Sequence, residues 1–316
     1  VNMDTIYDVL IIGGGPAGLT AGLYAGRAKL TAAIIEKGQD GGQIALTNDV
    51  ENYPGCNPEG ESGVELIKRF SRQAERFGVV RYADTAVSVD LGDEIKIVNG
   101  HNGQYRARTV VIANGAYPRK LGCPGEKEFS GKGVSYCATC DGNFFEDLEV
   151  YVVGGGDSAV EEAMYLTNFA RKVTIIQQFP YLTAAKSIQE RAKRNSKIEY
   201  LLGYEVQSLE GDGLLQKLTV KNMETGELTT LEADEDDGMF GCFVFIGSVP
   251  ETEIYKGQIT LTERGYIPTD EDMRTNLPGV FAAGDLRDKS VRQVVTAAAD
   301  GCIAAMQAEK YLAELS

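Results

Sequence analysis

Tyr7-Asp8-Val9-Leu10-Ile11-Ile12, followed at once by Gly13-Gly14-Gly15-Pro16-Ala17-Gly18, is the stretch that decides the fold. The run up to Ile12 is nearly all apolar, the pattern of a parallel strand covered on both faces. Gly13, Gly15 and Gly18 have the G-x-G-x-x-G spacing of a dinucleotide site. There one glycine turns the chain, one lets a diphosphate approach the backbone and one lets the helix pack closely on the strand. Pro16 to Ala28 then reads as a helix, and Thr31 to Glu36 as a second strand ending on an acid about 20 residues beyond the glycines. The glycines alone are weak evidence. Strand, glycines, helix, strand and acid in that order are strong evidence for a Rossmann-like unit.

The order recurs further along. Strand Val150–Val153 leads into Gly154-Gly155-Gly156-Asp157-Ser158-Ala159, then a helix over Ala159–Asn168 and a strand over Lys172–Ile176. Phe243 to Gly247 closes this second unit; Gly279 to Asp285 reads as a buried strand running into a turn acid, and Gln293 to Leu315 as a final helix. Gly41-Gly42-Gln43 and Glu51-Asn52-Tyr53-Pro54-Gly55 read as loops. Alternating segments over Val79–Val98 and Tyr105–Ile112 predict an antiparallel insertion that turns at Asn99 to Gly103. The strand Thr109–Ala113 runs into Asn114-Gly115-Ala116, and a Pro- and Gly-rich linker follows from Pro118 to Gly125. The expected fold class is α/β, with two Rossmann-like, three-layer ββα nucleotide-binding domains, the second inserted in the first. The boundaries expected are 1–118 with 248–316 for the first domain and 119–247 for the insertion.

A chain of 316 residues with 43% hydrophobic and 24% charged residues suffices for two cores. The formal net charge of −15 argues against nucleic acid as a partner. No basic segment leads the chain, and Asp4 and Asp8 precede or begin the first apolar run, so no signal peptide is expected. The apolar region Val9–Ile35 is broken by Gly13–Gly15, Arg27 and Lys29, so no membrane span is expected. The expected location is cytoplasmic, where a C-x-x-C is more often catalytic than structural.

Such a pair stands just before the second set of glycines: Cys137-Ala138-Thr139-Cys140, followed by Asp141. Two thiols two residues apart can close a disulfide and carry two electrons as a unit. A zinc site is the alternative, but there is one C-x-x-C and a single histidine, His101, in the expected hairpin turn, so no metal is expected. Without a second histidine, a hydrolase triad is out. Cys56, Cys123, Cys242 and Cys302 stand alone and read as packing residues. Asp141 reads either as a turn or capping acid or as a general acid for thiol exchange, and the two are compatible.

The series GGGPAG, GGQ, ENYPG, CATCDG, GGGDSAVEEA and GVFAAGD, with RQ at 292–293, resembles the low-molecular-weight flavoprotein thioredoxin reductases over nearly the whole chain. The resemblance implies an FAD domain, an inserted pyridine-nucleotide-like domain bearing the dithiol, a homodimer, and thioredoxin as partner. It places Gly13, Gly15, Pro16, Ala17 and Gly18 at the FAD diphosphate, and Glu36 and Lys37 at the adenosine end. Gly42, Gln43, Asn52, Val87, Ala113, Gly115, Gly284, Asp285, Arg292, Gln293 and Val294 match other FAD-contacting positions, Asp285 at the ribityl chain. It makes Cys140 the flavin-side thiol, Cys137 the thiol that attacks thioredoxin, and Asp141 the acid.

One departure is large. Members that use NADPH carry His-Arg-Arg and a further Arg after the second strand of the inserted domain, to pair the 2′-phosphate. Here the same place reads Gln177-Gln178-Phe179-Pro180-Tyr181-Leu182-Thr183. Each lost charge-assisted bond is worth about 1.5–3 kcal/mol. This combination resembles the ferredoxin-dependent flavin thioredoxin reductases and implies reduced ferredoxin, a one-electron carrier, as donor. Lys186, Arg191, Lys193, Arg194 and Lys197 read either as a solvated helix face or as a docking face for that acidic protein. The alternatives are an NAD(P)H-dependent reductase and a flavin-bound redox sensor that does not turn over.

Overall fold

The computed structural model describes residues 5–47 and 50–315; Asp4 lies outside them. The chain opens on β1 (Ile6–Ile12), crosses through helix α1 (Pro16–Arg27) and returns as β2 (Ala32–Glu36), which pairs with β1 in parallel. Pro16 takes the first helical turn, where its missing N–H is not needed. Gly42–Leu46 forms a 3-10 turn instead of the expected open loop; Gly41 (φ 124°) and Gly42 (φ 59°) supply the left-handed backbone that starts it. Helix α2 (Gly63–Arg76) follows, and Ser62 Oγ accepts from Glu65 N at 3.2 Å in a capping box.

Four strands complete this stretch: β3 (Val80–Ala83), β4 (Ala86–Asp90), β5 (Lys96–Gly100) and β6 (Gln104–Ile112). The antiparallel reading of Val79–Val98 needs correction in its first part. β3 pairs in parallel with β2, Ala33 against Val80, because the α2 crossover brings the chain back in the same direction. The β4–β5–β6 meander is antiparallel. β6 then runs parallel to β1, from Arg106 beside Ile6 to Ile112 beside Ile12.

Beyond β7 (Ala116–Pro118), the chain forms α3 (Glu126–Phe129), β8 (Val134–Ser135), α4 (Ala138–Asp141), β9 (Glu149–Val153), α5 (Asp157–Leu166), β10 (Lys172–Gln177), α6 (Lys186–Lys193) and β11 (Ile198–Leu202). An antiparallel meander follows: β12 (Tyr204–Asp212), β13 (Leu214–Asn222) and β14 (Leu228–Glu232). It was not legible as such in the sequence. β15 (Gly241–Val244) and β16 (Ser248–Pro250) lead back to β17 (Val280–Ala282) and α7 (Val294–Glu314). The chain divides into two compact units, residues 1–117 with 249–316, and residues 118–248.

Each unit has three layers. In the first, the sheet runs β3-β2-β1-β6-β5-β4, with β17 also on β6. Val9, Ile11, Ile34 and Val111 bury one face under α1 and α7, while Leu10, Ile12, Ile35 and Val110 bury the other against Val98, Tyr105, Tyr255 and Ile267. The alternation of adjacent residues to opposite faces explains why these strands are apolar throughout. In the second unit the sheet runs β11-β10-β9-β15-β8. Val150, Val152, Val173 and Ile175 face α5 with Ala159 and Ala163, and Tyr151, Val153 and Ile176 face the meander with Val206, Leu218 and Val220. No described helix is long and apolar enough to cross a membrane.

Candidate active site

The dithiol is a closed disulfide, Cys137–Cys140, with Cα atoms 5.3 Å apart. Cys137 is the N-cap of α4, Cys140 lies within that single turn, and Asp141 ends it, its N donating to Cys137 O at 3.2 Å. Thr139 Oγ1 lies 3.5 Å from Cys137 Sγ. The turn sits at the C-terminal end of β8 and packs on α5: a Cβ at Gly142 would lie 3.2 Å from Leu166 and 3.3 Å from Phe169. Asp141 is half-buried, and its carboxyl is pushed up by that burial, with a bond from Ser135 Oγ to Oδ2 at 2.6 Å pulling the other way. Ser135 was not singled out in the sequence. A carboxyl whose proton is held more tightly than usual, one residue from a disulfide, can serve as the acid for a leaving thiolate.

The first glycine set forms a cradle whose parts are sterically distinct. A Cβ at Gly13 (φ 113°) would meet Ala113 O at 2.3 Å, and one at Gly18 would meet Gly13 O at 1.8 Å, so both are locked by packing. At Gly15, the N-cap of α1, the nearest atom to such a Cβ would be Gly41 O at 3.9 Å; no side chain caps this helix end. The space at Gly15 is thus open, as a diphosphate on the helix N–H groups requires. Gly42 lies against Gly15, and Ala17 against Gly284 (φ 88°).

Glu36 caps the cradle differently from a free ribose acceptor: its oxygens accept from Gly14 N at 2.6 Å and Gly38 N at 2.9 Å. Each carboxylate oxygen keeps a second lone pair for a hydroxyl. Asn52 Nδ2 donates to Gln293 Oε1 at 3.2 Å, which joins the ENYPG loop to the N-cap of α7, just before Val294. Arg292 Nε donates to Asp285 O at 3.2 Å. Asp285 Oδ1 is shut off from solvent, ion-paired with Lys289 Nζ at 3.6 Å and without a shorter bond, and burial pushes its carboxyl up against the pull of Lys289 and Arg292. A buried carboxylate oxygen whose one partner is a cation 3.6 Å away keeps room for a hydroxyl, and beside an open glycine cradle it fits a polyol-bearing dinucleotide such as FAD.

Lys37 pairs with Glu251 at 2.5 Å and covers the Tyr117 ring. Val87 is exposed on the edge strand β4; it is the preceding Asp84 whose N donates to Glu36 O. Gly115 (φ 75°) turns the chain after β6, its O accepting from Glu251 N. Asp300, absent from the sequence reading, holds the Gly284–Asp285 turn: it accepts from Gly284 N at 3.0 Å and Lys289 Nζ at 3.0 Å, and pairs with Arg287 at 2.9 Å. Its signal was an acid in an otherwise small, apolar helical stretch, Ala297 to Gly301.

The second glycine set repeats the geometry. Gly154 (φ 134°) is locked against Phe245 O, 2.3 Å from its would-be Cβ, while Gly156 has only Thr183 Oγ1 at 3.8 Å. Gln177, at the end of β10, stands where Glu36 stands at the end of β2: a Cβ at Gly155 would meet Gln177 Nε2 at 2.3 Å. Thr183 N and Ala184 N both donate to Gly155 O, which folds the 178–184 loop over the glycines. Phe179 and Tyr181 stack on one another, ring centroids 5.8 Å apart, and are exposed. No cation lies in Gln177 to Thr183. Of the basic run after it, Lys197 is engaged elsewhere, donating to Thr167 O and Ala170 O, so it does not extend the α6 face.

Residues 7–301 match the pyridine nucleotide-disulphide oxidoreductase family. A thioredoxin reductase of Peptoclostridium litorale is 55% identical over 313 residues, 99% of each chain. Among solved structures, a thioredoxin reductase of Streptococcus pyogenes is 43% identical with a TM-score of 0.90, covering 98% of this chain and 99% of its own. The thioredoxin reductase of Giardia duodenalis is 37% identical with a TM-score of 0.91, covering 98% and 100%. The chain belongs to the low-molecular-weight thioredoxin reductases within the pyridine nucleotide-disulphide oxidoreductase family. The cofactor of these enzymes is FAD.

Proposed function

We propose that this protein is a thioredoxin-disulfide reductase in which the Cys137–Cys140 pair hands two electrons to thioredoxin. The observation that carries this reading is a closed C-x-x-C disulfide one residue from a half-buried acid. FAD, when bound, supplies the electrons that open that disulfide. Gly13, Gly15 and Gly18 would hold its diphosphate, Glu36 its ribose, and Asp285 with Asn52 and Gln293 its inner half.

In the open dithiol, Cys137 thiolate attacks one sulfur of the thioredoxin disulfide. A mixed disulfide forms as the partner's S–S bond breaks, and the leaving sulfur takes the proton of Asp141. Cys140 gives its proton to Asp141 and attacks Cys137 Sγ, which restores the Cys137–Cys140 disulfide and frees the second thioredoxin sulfur, protonated from solvent. The pair is oxidised by two electrons and thioredoxin is reduced by two. The dithiol must meet both FAD and a protein partner in turn, so this reading includes rotation of the 118–248 unit about its connections at 116–118 and 248–250, within a homodimer.

The donor divides two readings. The family and the plain thioredoxin reductases among its relatives support a pyridine nucleotide. The open Gly156 is consistent with a nucleotide diphosphate there. One observation favours the second reading, reduced ferredoxin: no cation stands in Gln177 to Thr183 to pair a 2′-phosphate. An anaerobic screen of NADPH, NADH and reduced ferredoxin, scoring bleaching of the flavin and thiols on thioredoxin, separates them. Bleaching by NADPH or NADH at turnover equal to the ferredoxin route assigns the nucleotide; bleaching by ferredoxin alone assigns the second reading. No thioredoxin thiols with any donor would refute the reductase itself and return the chain to a redox sensor.

A further inference from the structure

One hydroxyl in the second unit ties together the attacking cysteine and the acid. Ser135 Oγ donates to Asp141 Oδ2 at 2.6 Å and accepts from Cys137 N at 3.1 Å. A hydroxyl has one proton and two lone pairs, so it sustains both bonds at once. Ser135 is 4% exposed and sits on β8, whose residues Val134 and Ser135 are paired with Cys242 and Phe243 of β15. The hydroxyl is therefore anchored on the sheet, whereas Asp141 ends a single turn of helix.

We propose that Ser135 is a positioning residue for thiol exchange: its hydroxyl holds the Asp141 carboxyl against the backbone of Cys137, so that the acid stays with the dithiol as the partner's disulfide breaks. The inference rests on the thiol-exchange reading above. It also sets a pH dependence. A donor to a carboxylate favours the ionised form, so the Ser135 bond opposes the upward push of burial on Asp141. The neighbouring elements add little charge. β8 and the 3-10 turn Gly142–Phe145 carry none. On α5, Asp157 accepts from Ala185 N, Glu161 is exposed, and Glu162 is half-buried with its carboxyl raised by burial and by Glu161. β15 brings only the buried thiol Cys242, raised by burial.

The test uses the FAD-loaded protein, its dithiol reduced chemically so that the donor plays no part. Single-turnover exchange with thioredoxin disulfide is followed by stopped flow from pH 5 to 9. The wild type is expected to lose rate on the alkaline side as Asp141 loses its proton, and Asp141→Asn to lose both that limb and at least tenfold in rate. Ser135→Ala is expected to slow exchange about tenfold at the optimum and to move the alkaline limb up by about one pH unit, the size of one bond to a charged group. Ser135→Thr, which keeps the hydroxyl, restores both. A Ser135→Ala profile that keeps the wild-type limb, alongside an Asp141→Asn profile that lacks it, overturns the role of Ser135 while leaving Asp141 as the acid. An unchanged Asp141→Asn profile overturns the acid itself. Should Ser135→Ala lose its flavin or its circular dichroism, Ser135→Val takes its place, with the shape of Ser135→Thr and no hydroxyl. Slower exchange with an alkaline limb about one pH unit above that of Ser135→Thr supports the proposal, and coincident profiles overturn it.

Discussion

At the scale of single residues, the glycines of the first set do different work. Gly18 has no room for a methyl group, 1.8 Å from Gly13 O, and Gly13 meets Ala113 O while holding φ at 113°. Gly15 has room, and the proposed reading gives that space to the FAD diphosphate. Gly18→Ala is therefore expected to destabilise the apoprotein by about 1–3 kcal/mol, the usual range for overpacking. Gly15→Ala is expected to leave the apoprotein's melting temperature unchanged and to weaken FAD at least tenfold. Melting of apoprotein and FAD titration by flavin fluorescence check both; equal loss of stability in the two variants would contradict the division. The G-x-G-x-x-G spacing made these glycines legible, because each has a backbone reason to lack a side chain. Ser135 and Asp300 were not legible, since a lone serine before a cysteine motif and a lone acid in a helix have no local pattern. Their partners lie at positions that only folding brings close.

Among the elements, β1, α1, β2, β9, α5 and β10 could be read because period and punctuation agree: apolar strands, glycines, then helical spacing. Helix α2 was missed although Ser62-x-x-Glu65 announces its start. The β12–β14 meander was missed because half-exposed strands of mixed composition carry a weak period. The turn of the β5–β6 hairpin was read at Asn99 to Gly103, but not the group that fixes it. Asp84 accepts from Tyr105 Oη at 2.8 Å, from Asn102 N at 3.1 Å and from Thr85 N at 2.8 Å. Burial raises its carboxyl, and these bonds outweigh it, so the folded value is lowered. A carboxyl lowered on folding stabilises the protein fully above its unfolded pKa of about 3.9, and loses that contribution as pH falls through the folded value. Asp84→Asn is expected to reduce stability at pH 7 by about 1–3 kcal/mol and to flatten the loss of stability below pH 4. Urea melts at pH 7 and pH 3 measure it; parallel losses at both pH values would refute the account.

For the whole molecule, two nucleotide-type units with a dithiol in the second were evident from the repeat, because each unit announces itself with its own glycines. The donor was not evident, because it turns on absent cations, and residues 177–183 fold over Gly155 whichever donor serves. The triple variant Gln178→Arg, Phe179→Arg and Thr183→Arg is expected to lower the KM for NADPH relative to NADH at least tenfold; an unchanged ratio would mean that the loop, and not its charge, shuts out the phosphate. The central claim is that Cys137 attacks the partner and Cys140 resolves. The most direct measurement is to reduce Cys140→Ser chemically, mix it with thioredoxin disulfide and weigh the product by intact-mass spectrometry. The account predicts one thioredoxin joined to Cys137, released by dithiothreitol, while Cys137→Ser forms no such adduct. An adduct on Cys140 in Cys137→Ser, with none on Cys137 in Cys140→Ser, would contradict it.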